Sequence, residues 1–385
     1  MSESALRRVM GSPLSAWTVS ARRCSDLRPS PDPGRAGRAI QVPSRKTLPV
    51  LLLSLLWLFT FSGALQAQQL PPAEPPEPMP GEQTPAATLR VTTNEVLVPT
   101  LVEKRDGTIL YALKPSDFEL RDNGVPQRIR VQKDLDAAPV ALVVAVEQGG
   151  ASVLEFGKLA KMGPLLDTFL TNPLSRAALV GFDSMPSLLD DYTHSTQTIE
   201  NSLKHLEPGD GGAAILDTIS YAVDLLSSEP KEYRRVLLLI SEERDHGSRH
   251  TRAAQLIRKI GRTDVLVLSV SFSPSRAELL HDLGDSGEDR TLNMVSALVM
   301  AVKAFKKNVA KEVALMSGGE YTTFTGDKRF EARILEAARH VQNRYLITFS
   351  PSDPTPGLHS IRVRTTQDFG ARIVARTSYW MKQDP

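Results

Sequence analysis

The chain has 385 residues, enough for roughly two domains with at least one well-buried core. Its 46 Lys and Arg against 44 Asp and Glu leave a formal net charge of +2. The basic residues are scattered rather than gathered into a stripe, which excludes nucleic acid as the implied partner. The single cysteine, Cys24, precedes a long apolar run, so a processed form would contain none. A disulfide framework, a thiolate metal site, a cysteine nucleophile and a lipid-bearing cysteine are excluded together.

Residues 1–44 are rich in Arg, Ser and Pro without a pattern, and are expected to be disordered or to follow from a start codon assigned too far upstream. Arg45 and Lys46 then introduce Leu48 to Phe61, LPVLLLSLLWLFTF, with the small residues Ser62, Gly63, Ala64 and Ala67 behind it. Charged, apolar and small-residue regions in that order predict a secretory signal over 45–67, or a membrane anchor if it stays uncleaved. The protein is therefore expected to be exported: periplasmic, secreted or attached to the envelope, meeting a membrane only through an uncleaved segment. Gln68 to Ala87 is Pro- and Glu-rich and has no apolar period, which predicts an extended linker.

From 88 to 136 the pattern is all β. Leu89, Val91, Val96, Val98 and Leu101 lie in short β-branched stretches, Asp106-Gly107 and Asn123-Gly124 are hairpin signals, and Ile129 and Val131 continue the alternation. A small sheet or sandwich of roughly five strands follows, with Phe118 and Leu120 in its core.

Between 139 and 350 strands and helices alternate. Apolar runs at Val140 to Val146, Ala177 to Phe182, Val236 to Ile240 and Val265 to Val270 predict buried strands. Amphipathic stretches at Val153 to Leu170, Ile199 to Leu206, Ala213 to Leu226 and Thr251 to Ile260 predict the helices between them. A charged insertion is expected at Pro274 to Arg290, then a helix from Leu292 to Met316 stopped by Gly318-Gly319. A strand at Tyr321 to Phe324, a helix at Phe330 to Gln342 and a strand at Tyr345 to Phe349 complete the region. The expected class is α/β: a doubly wound, mainly parallel sheet covered on both faces. Over 358–381, Ser360 to Thr365 and Ala371 to Thr377 predict a hairpin that joins the first β module.

The first strand ends in Ala141 to Ser152, ALVVAVEQGGAS, a carboxylate and a tight turn where open α/β sheets place ligand sites. Taken with the DF-x-x-x-x-NG segment at Asp117 to Gly124 and the terminal Arg-Tyr-Leu-Ile of Arg344 to Ile347, the order of parts resembles the von Willebrand factor A-related proteins of the acidobacterial type. The resemblance implies a metal-ion-dependent adhesion site, with Mg²⁺ held by Asp-x-Ser-x-Ser, a Thr and a further Asp, and a partner carboxylate completing the shell.

Position by position, Glu147 stands for the first Asp, Gly149 and Ala151 for the two Ser, Ala213 for the Thr and Glu242 for the last Asp, while Asp217 matches a common acidic position at a helix start. With the hydroxyls gone and the carboxylates lengthened, the expectation is no cofactor, Mg²⁺ being the sole candidate. The implied function is non-enzymatic protein interaction, with an unknown envelope or extracellular partner meeting Glu147, Gly149, Ala151, Ala213, Asp217, Glu242 and Asp245. A metal-binding adhesion site of non-standard type, and a hydrolase built on Asp217, Glu242, Asp245 and His246, are the alternatives.

Weaker patterns resolve blandly. His246 and His250 have i, i+4 spacing, but Gly247 and Ser248 make the segment a loop rather than a metal-gripping helix. Gly209 to Gly212 lacks the Lys-Ser/Thr of a phosphate loop. Ser152 is expected to be a helix N-cap, with Glu155 completing a capping box.

Overall fold

The computed structural model describes residues 95–132, 138–272 and 294–382. The expected signal, the linker, Leu89, Val91 and the insertion at Pro274 to Arg290 lie outside them. Among the described residues no helix is long and apolar enough to cross a membrane.

The chain first lays down β1 (Val96–Lys104), β2 (Phe118–Asp122), the two-residue β3 (Val125–Pro126) and β4 (Ile129–Gln132). It then enters the parallel sheet through β5 (Val140–Glu147), all eight of whose residues are buried. Leu142, Val144 and Val146 pack with Leu159, Leu166 and Ile334 on one face. Ala141, Val143 and Ala145 pack with Ile219, Leu256 and Val313 on the other. A two-residue period with both phases apolar is what a strand covered on both sides requires.

Gly163 and Pro164 interrupt the long helix expected at Val153 to Leu170. In its place stand a 3₁₀ turn at Gly150–Glu155, α1 (Phe156–Leu159) and α2 (Gly163–Leu166). Proline lacks the amide hydrogen that an interior turn needs and fits only at a helix start. The capping box falls with that helix: Ser152 is buried inside the 3₁₀ turn and its hydroxyl donates to the Gly149 carbonyl, while Glu155 pairs with Lys158.

The sheet continues through β6 (Arg176–Phe182), the antiparallel edge strand β7 (Pro186–Thr193), α3 (Thr196–Lys204), α4 (Ile215–Ser227), β8 (Arg234–Ser241), α5 (Ala253–Gly261) and β9 (Leu266–Phe272). The helix expected from Leu292 to Met316 is two, α6 (Met294–Lys307) and α7 (Val309–Ser317). Asn308 starts the second by accepting the Lys311 amide at 2.8 Å, and Gly318, with φ of 86°, ends it. β10 (Tyr321–Phe324) and α8 (Asp327–Gln342) follow. The spatial order is β10-β9-β8-β5-β6-β7. Connections leave β5 and β8 in opposite directions, so the crevice at their carboxyl ends is the switch point of the sheet.

The last four strands return to the first four. β11 (Tyr345–Phe349), β12 (Gly357–Thr365), β13 (Ala371–Ala375) and β14 (Ser378–Met381) complete two antiparallel sheets, β13-β1-β11-β4 and β14-β12-β2-β3. Val98, Leu120, Ile347, Phe349 and Ile361 share the core between them. Two expectations are corrected. Tyr345 to Phe349 pairs with β1 and β4 rather than with the parallel sheet. Ser360 to Thr365 and Ala371 to Thr377 do not form a hairpin, because β12 pairs with β2 and β14 while β13 pairs with β1. Their joining of the first β module holds.

A buried polar group pins the second sheet. Asp122 accepts from the Tyr379 hydroxyl at 2.7 Å and lies 3.0 Å from Nδ1 of His359, whose Nε2 is 2.6 Å from the Thr355 carbonyl oxygen. Burial works against the charged ring, but acceptors on both nitrogens outweigh it and raise the pKa of His359. A group bound more tightly to its proton when folded contributes in full below the unfolded value of 6.5, and the contribution is lost as pH rises through the folded one. The midpoint of urea unfolding is expected to fall over that window. His359→Gln should cost about 3 kcal/mol at low pH, by leaving Asp122 uncompensated, and should flatten the slope; an unaltered slope would refute the assignment.

Candidate functional site

Glu147 ends β5 at the switch point and is 1% exposed. Its Oε2 accepts the Glu242 amide at 2.8 Å, and its Oε1 is buried without a hydrogen-bond partner. Burial first, and the nearby Glu242 charge second, push its carboxyl up to about 8 against the pull of that amide. Glu242, just past β8, turns its own carboxylate to His246.

Three turns close over these residues backbone to backbone. A Cβ on Gly149 would collide with the Gly212 carbonyl oxygen and stand 3.0 Å from the carbonyl carbons of Gly211 and Gly212. Gly212 in turn lies against Ser184. Hydrogen bonds lock the contact: the Gly209 amide to the Gln148 carbonyl at 2.9 Å, the Ala214 amide to the Asp183 carbonyl at 2.7 Å, and the Ser184 amide to Asp210 at 3.1 Å. The Gly209 to Gly212 segment is thus a packing element.

The other acids are structural fasteners. Asp217, in the first turn of α4, accepts the amides of Arg249 at 2.8 Å, His250 at 3.2 Å and Thr251 at 2.5 Å. Burial alone would raise its pKa, but these donors hold it below the ordinary carboxylate value. Asp245 accepts the Leu216 amide at 3.0 Å and the Ser248 hydroxyl. The Ala213 carbonyl accepts the His246 amide at 3.0 Å. His246 and His250 address different carboxylates, Glu242 and Asp217, from a loop, and do not converge as a ligand pair.

The acidic partner-facing rim expected from the sequence is therefore corrected. Glu147, Gly149, Ala213 and Asp217 are buried, Glu242 and Asp245 are half-buried and engaged internally, and Ala151 alone of the seven is exposed. What the neighbouring turns present instead is apolar: Leu154 at 80% exposure, next in the chain to the exposed Val153, and Met185 at 63%. The sequence places Val153 and Leu154 at the start of a long amphipathic helix. Pro164 was the available signal that this helix would break.

The resemblance implies Mg²⁺ here, which takes six oxygens near-octahedrally at about 2.1 Å. Gly149, Ala151 and Ala213 offer no side-chain oxygen, Glu147 and Glu242 have one oxygen each already engaged, and Asp217 and Asp245 hold amides. Among the described residues, these acids do not bring three ligand atoms within reach of one ion. The donor set does not fit Mg²⁺.

The strand order by itself defines the class: a doubly wound α/β domain fused to a two-sheet antiparallel module. No protein-family model matches the chain, and no curated protein matches it in sequence. Solved structures similar to it include the conserved hypothetical protein BatB from Bacteroides thetaiotaomicron, 15% identical, covering 52% of this chain and 99% of BatB with a TM-score of 0.35. The vWF domain of the type V pili tip protein Mfa5 from Porphyromonas gingivalis is 10% identical over 53% of this chain and 95% of that one, with a TM-score of 0.36. A von Willebrand factor type A protein from Catenulispora acidiphila is 11% identical over 70% and 74%, with a TM-score of 0.37. At these scores the likeness carries no argument beyond the strand order.

Proposed function

We propose that this is an exported, non-enzymatic protein-interaction protein with a von Willebrand A-like domain of the acidobacterial type, whose adhesion site is degenerate and whose partner docks on the crest of the parallel sheet without a bridging metal. The observation that carries this reading is the backbone contact of Gly149 with Gly212, which fills the position where a ligand side chain would stand. The exposed Leu154 and Met185 on adjoining turns supply the contact surface in its place. Export rests on Leu48 to Phe61, outside the described residues.

The test is crosslinking and capture from the protein's own envelope fraction, with and without EDTA. The same partner is expected in both, and its affinity should drop roughly tenfold or more when Leu154→Glu and Met185→Glu are combined, since each replaces an apolar anchor by a charge that must be desolvated. Release by EDTA, or full retention by the double variant, would count against the reading.

A further inference from the structure

Away from the crest, β1 and α8 meet around a cluster that the functional reading does not use. Glu103, near the end of β1, and His340, near the end of α8, are each almost fully buried. Glu336 lies one helical turn before His340 and is partly exposed. One ligand atom from each of the three falls within 4.8 Å of the others, and among the described residues no other such group of three or more is found.

The details orient this cluster for a cation. Oε2 of Glu320 lies 2.7 Å from His340 Nδ1. A carboxylate accepts only, so Nδ1 carries the hydrogen and the lone pair of a neutral ring sits on Nε2. Nε2 is buried and makes no hydrogen bond, yet it stands 3.3 Å from Oε1 of Glu103. The other oxygen of Glu103 is taken up by Arg372, at 3.0 Å from Nε and 2.7 Å from Nη2. The neutral ring, the form that binds a metal, thus presents its Nε2 lone pair to Oε1 of Glu103, whose other cationic neighbour, Arg339, stands off at 3.9 Å, and a cation seated between nitrogen and oxygen would satisfy both. A tetrahedral ion about 2.0–2.1 Å from each ligand would hold those atoms about 3.3 Å apart.

We infer that Glu103, Glu336 and His340 form a site for a divalent transition ion of the Zn²⁺ type, with Glu320 as the carboxylate that fixes the histidine tautomer. Histidine held by a carboxylate on its second nitrogen is the usual support of such a ligand. Glu336, partly open to solvent, leaves the fourth position to water. The ion would clasp β1 of the antiparallel module to α8 of the doubly wound layer. It is separate from the crest in residues and chemistry, and does not depend on the functional proposal.

The test uses the full chain, stripped with EDTA and titrated calorimetrically with Zn²⁺ at a fixed pH of about 7.5, since metal binding competes with protons. The wild type is expected to bind one Zn²⁺ more than Glu336→Gln, or the same ion roughly tenfold or more tightly. Zn²⁺ should raise its unfolding temperature by several degrees, with no such rise at this site in the variant. Glu336 is partly exposed, so the variant keeps its fold, which circular dichroism verifies. The Glu242–His246 pair at the crest is common to both proteins, so the difference reports the clasp alone. Co²⁺ in place of Zn²⁺ should give the visible bands of a four-coordinate site in the wild type only. Equal Zn²⁺ binding and equal thermal shifts in the two proteins would overturn the proposal, as would NMR evidence that both nitrogens of His340 still carry hydrogens in the Zn²⁺-saturated wild type.

Discussion

Glu147→Gln is expected to stabilise the protein at about pH 8.5 by on the order of 3–5 kcal/mol and to leave it nearly unchanged at about pH 5. Burial pushes the folded carboxyl up to about 8 from its ordinary 4.5. Because the native state holds the proton more tightly, stability is greatest below 4.5, declines as pH rises across that window at about 1.4 kcal/mol per unit, and levels off above 8. Glutamine has the shape of the neutral acid, can accept the Glu242 amide through its carbonyl, and cannot ionise. It leaves one buried polar group unpaired, but so does protonated Glu147, whose Oε1 has no partner. The measurement is the urea midpoint against pH for both proteins. The His359 contribution is present in both and cancels from the difference, so parallel curves would refute a buried neutral Glu147.

Gly149→Ser, a step toward the adhesion motif that the sequence resembles, is expected to destabilise by about 2–3 kcal/mol and to gain no Mg²⁺ affinity. The new Cβ meets backbone atoms, the Gly212 carbonyl above all, so no side-chain rotation relieves the collision. Moving the 209–213 turn would break the Gly209–Gln148 and Ala214–Asp183 hydrogen bonds that hold it. Urea unfolding and a Mg²⁺ titration check both parts. Undiminished stability would mean that the turn yields, and that the site can be rebuilt one residue at a time.

How far the site was legible follows from the kind of signal each residue carries. The loss of hydroxyls at Gly149, Ala151 and Ala213 is visible in the chain, because a ligand is a side-chain atom and its absence is a matter of composition. The direction of the remaining acids is not. Asp217 and Asp245 look like a rim in sequence, yet each turns inward to amides of another loop, a choice set by donors that only the fold brings near. The exposed Leu154 was missed because it lies in a periodic segment read as one amphipathic helix until the segment is seen to break, and the exposed Met185 because it falls between predicted elements where an apolar residue carries no periodic signal.

The sequence by itself determined the doubly wound sheet. Val140 to Val146 and Val236 to Ile240 are apolar in both phases of the two-residue period, and only a strand covered on both faces accepts that pattern, whatever its neighbours. Tertiary structure alone decided which sheet took Tyr345 to Phe349, that β12 and β13 part company, and that Glu103 meets His340. Main-chain hydrogen bonds are nearly indifferent to side chains, so a strand's partner is chosen by which edges and which cores are brought within reach, and that information lies in no short stretch of the chain.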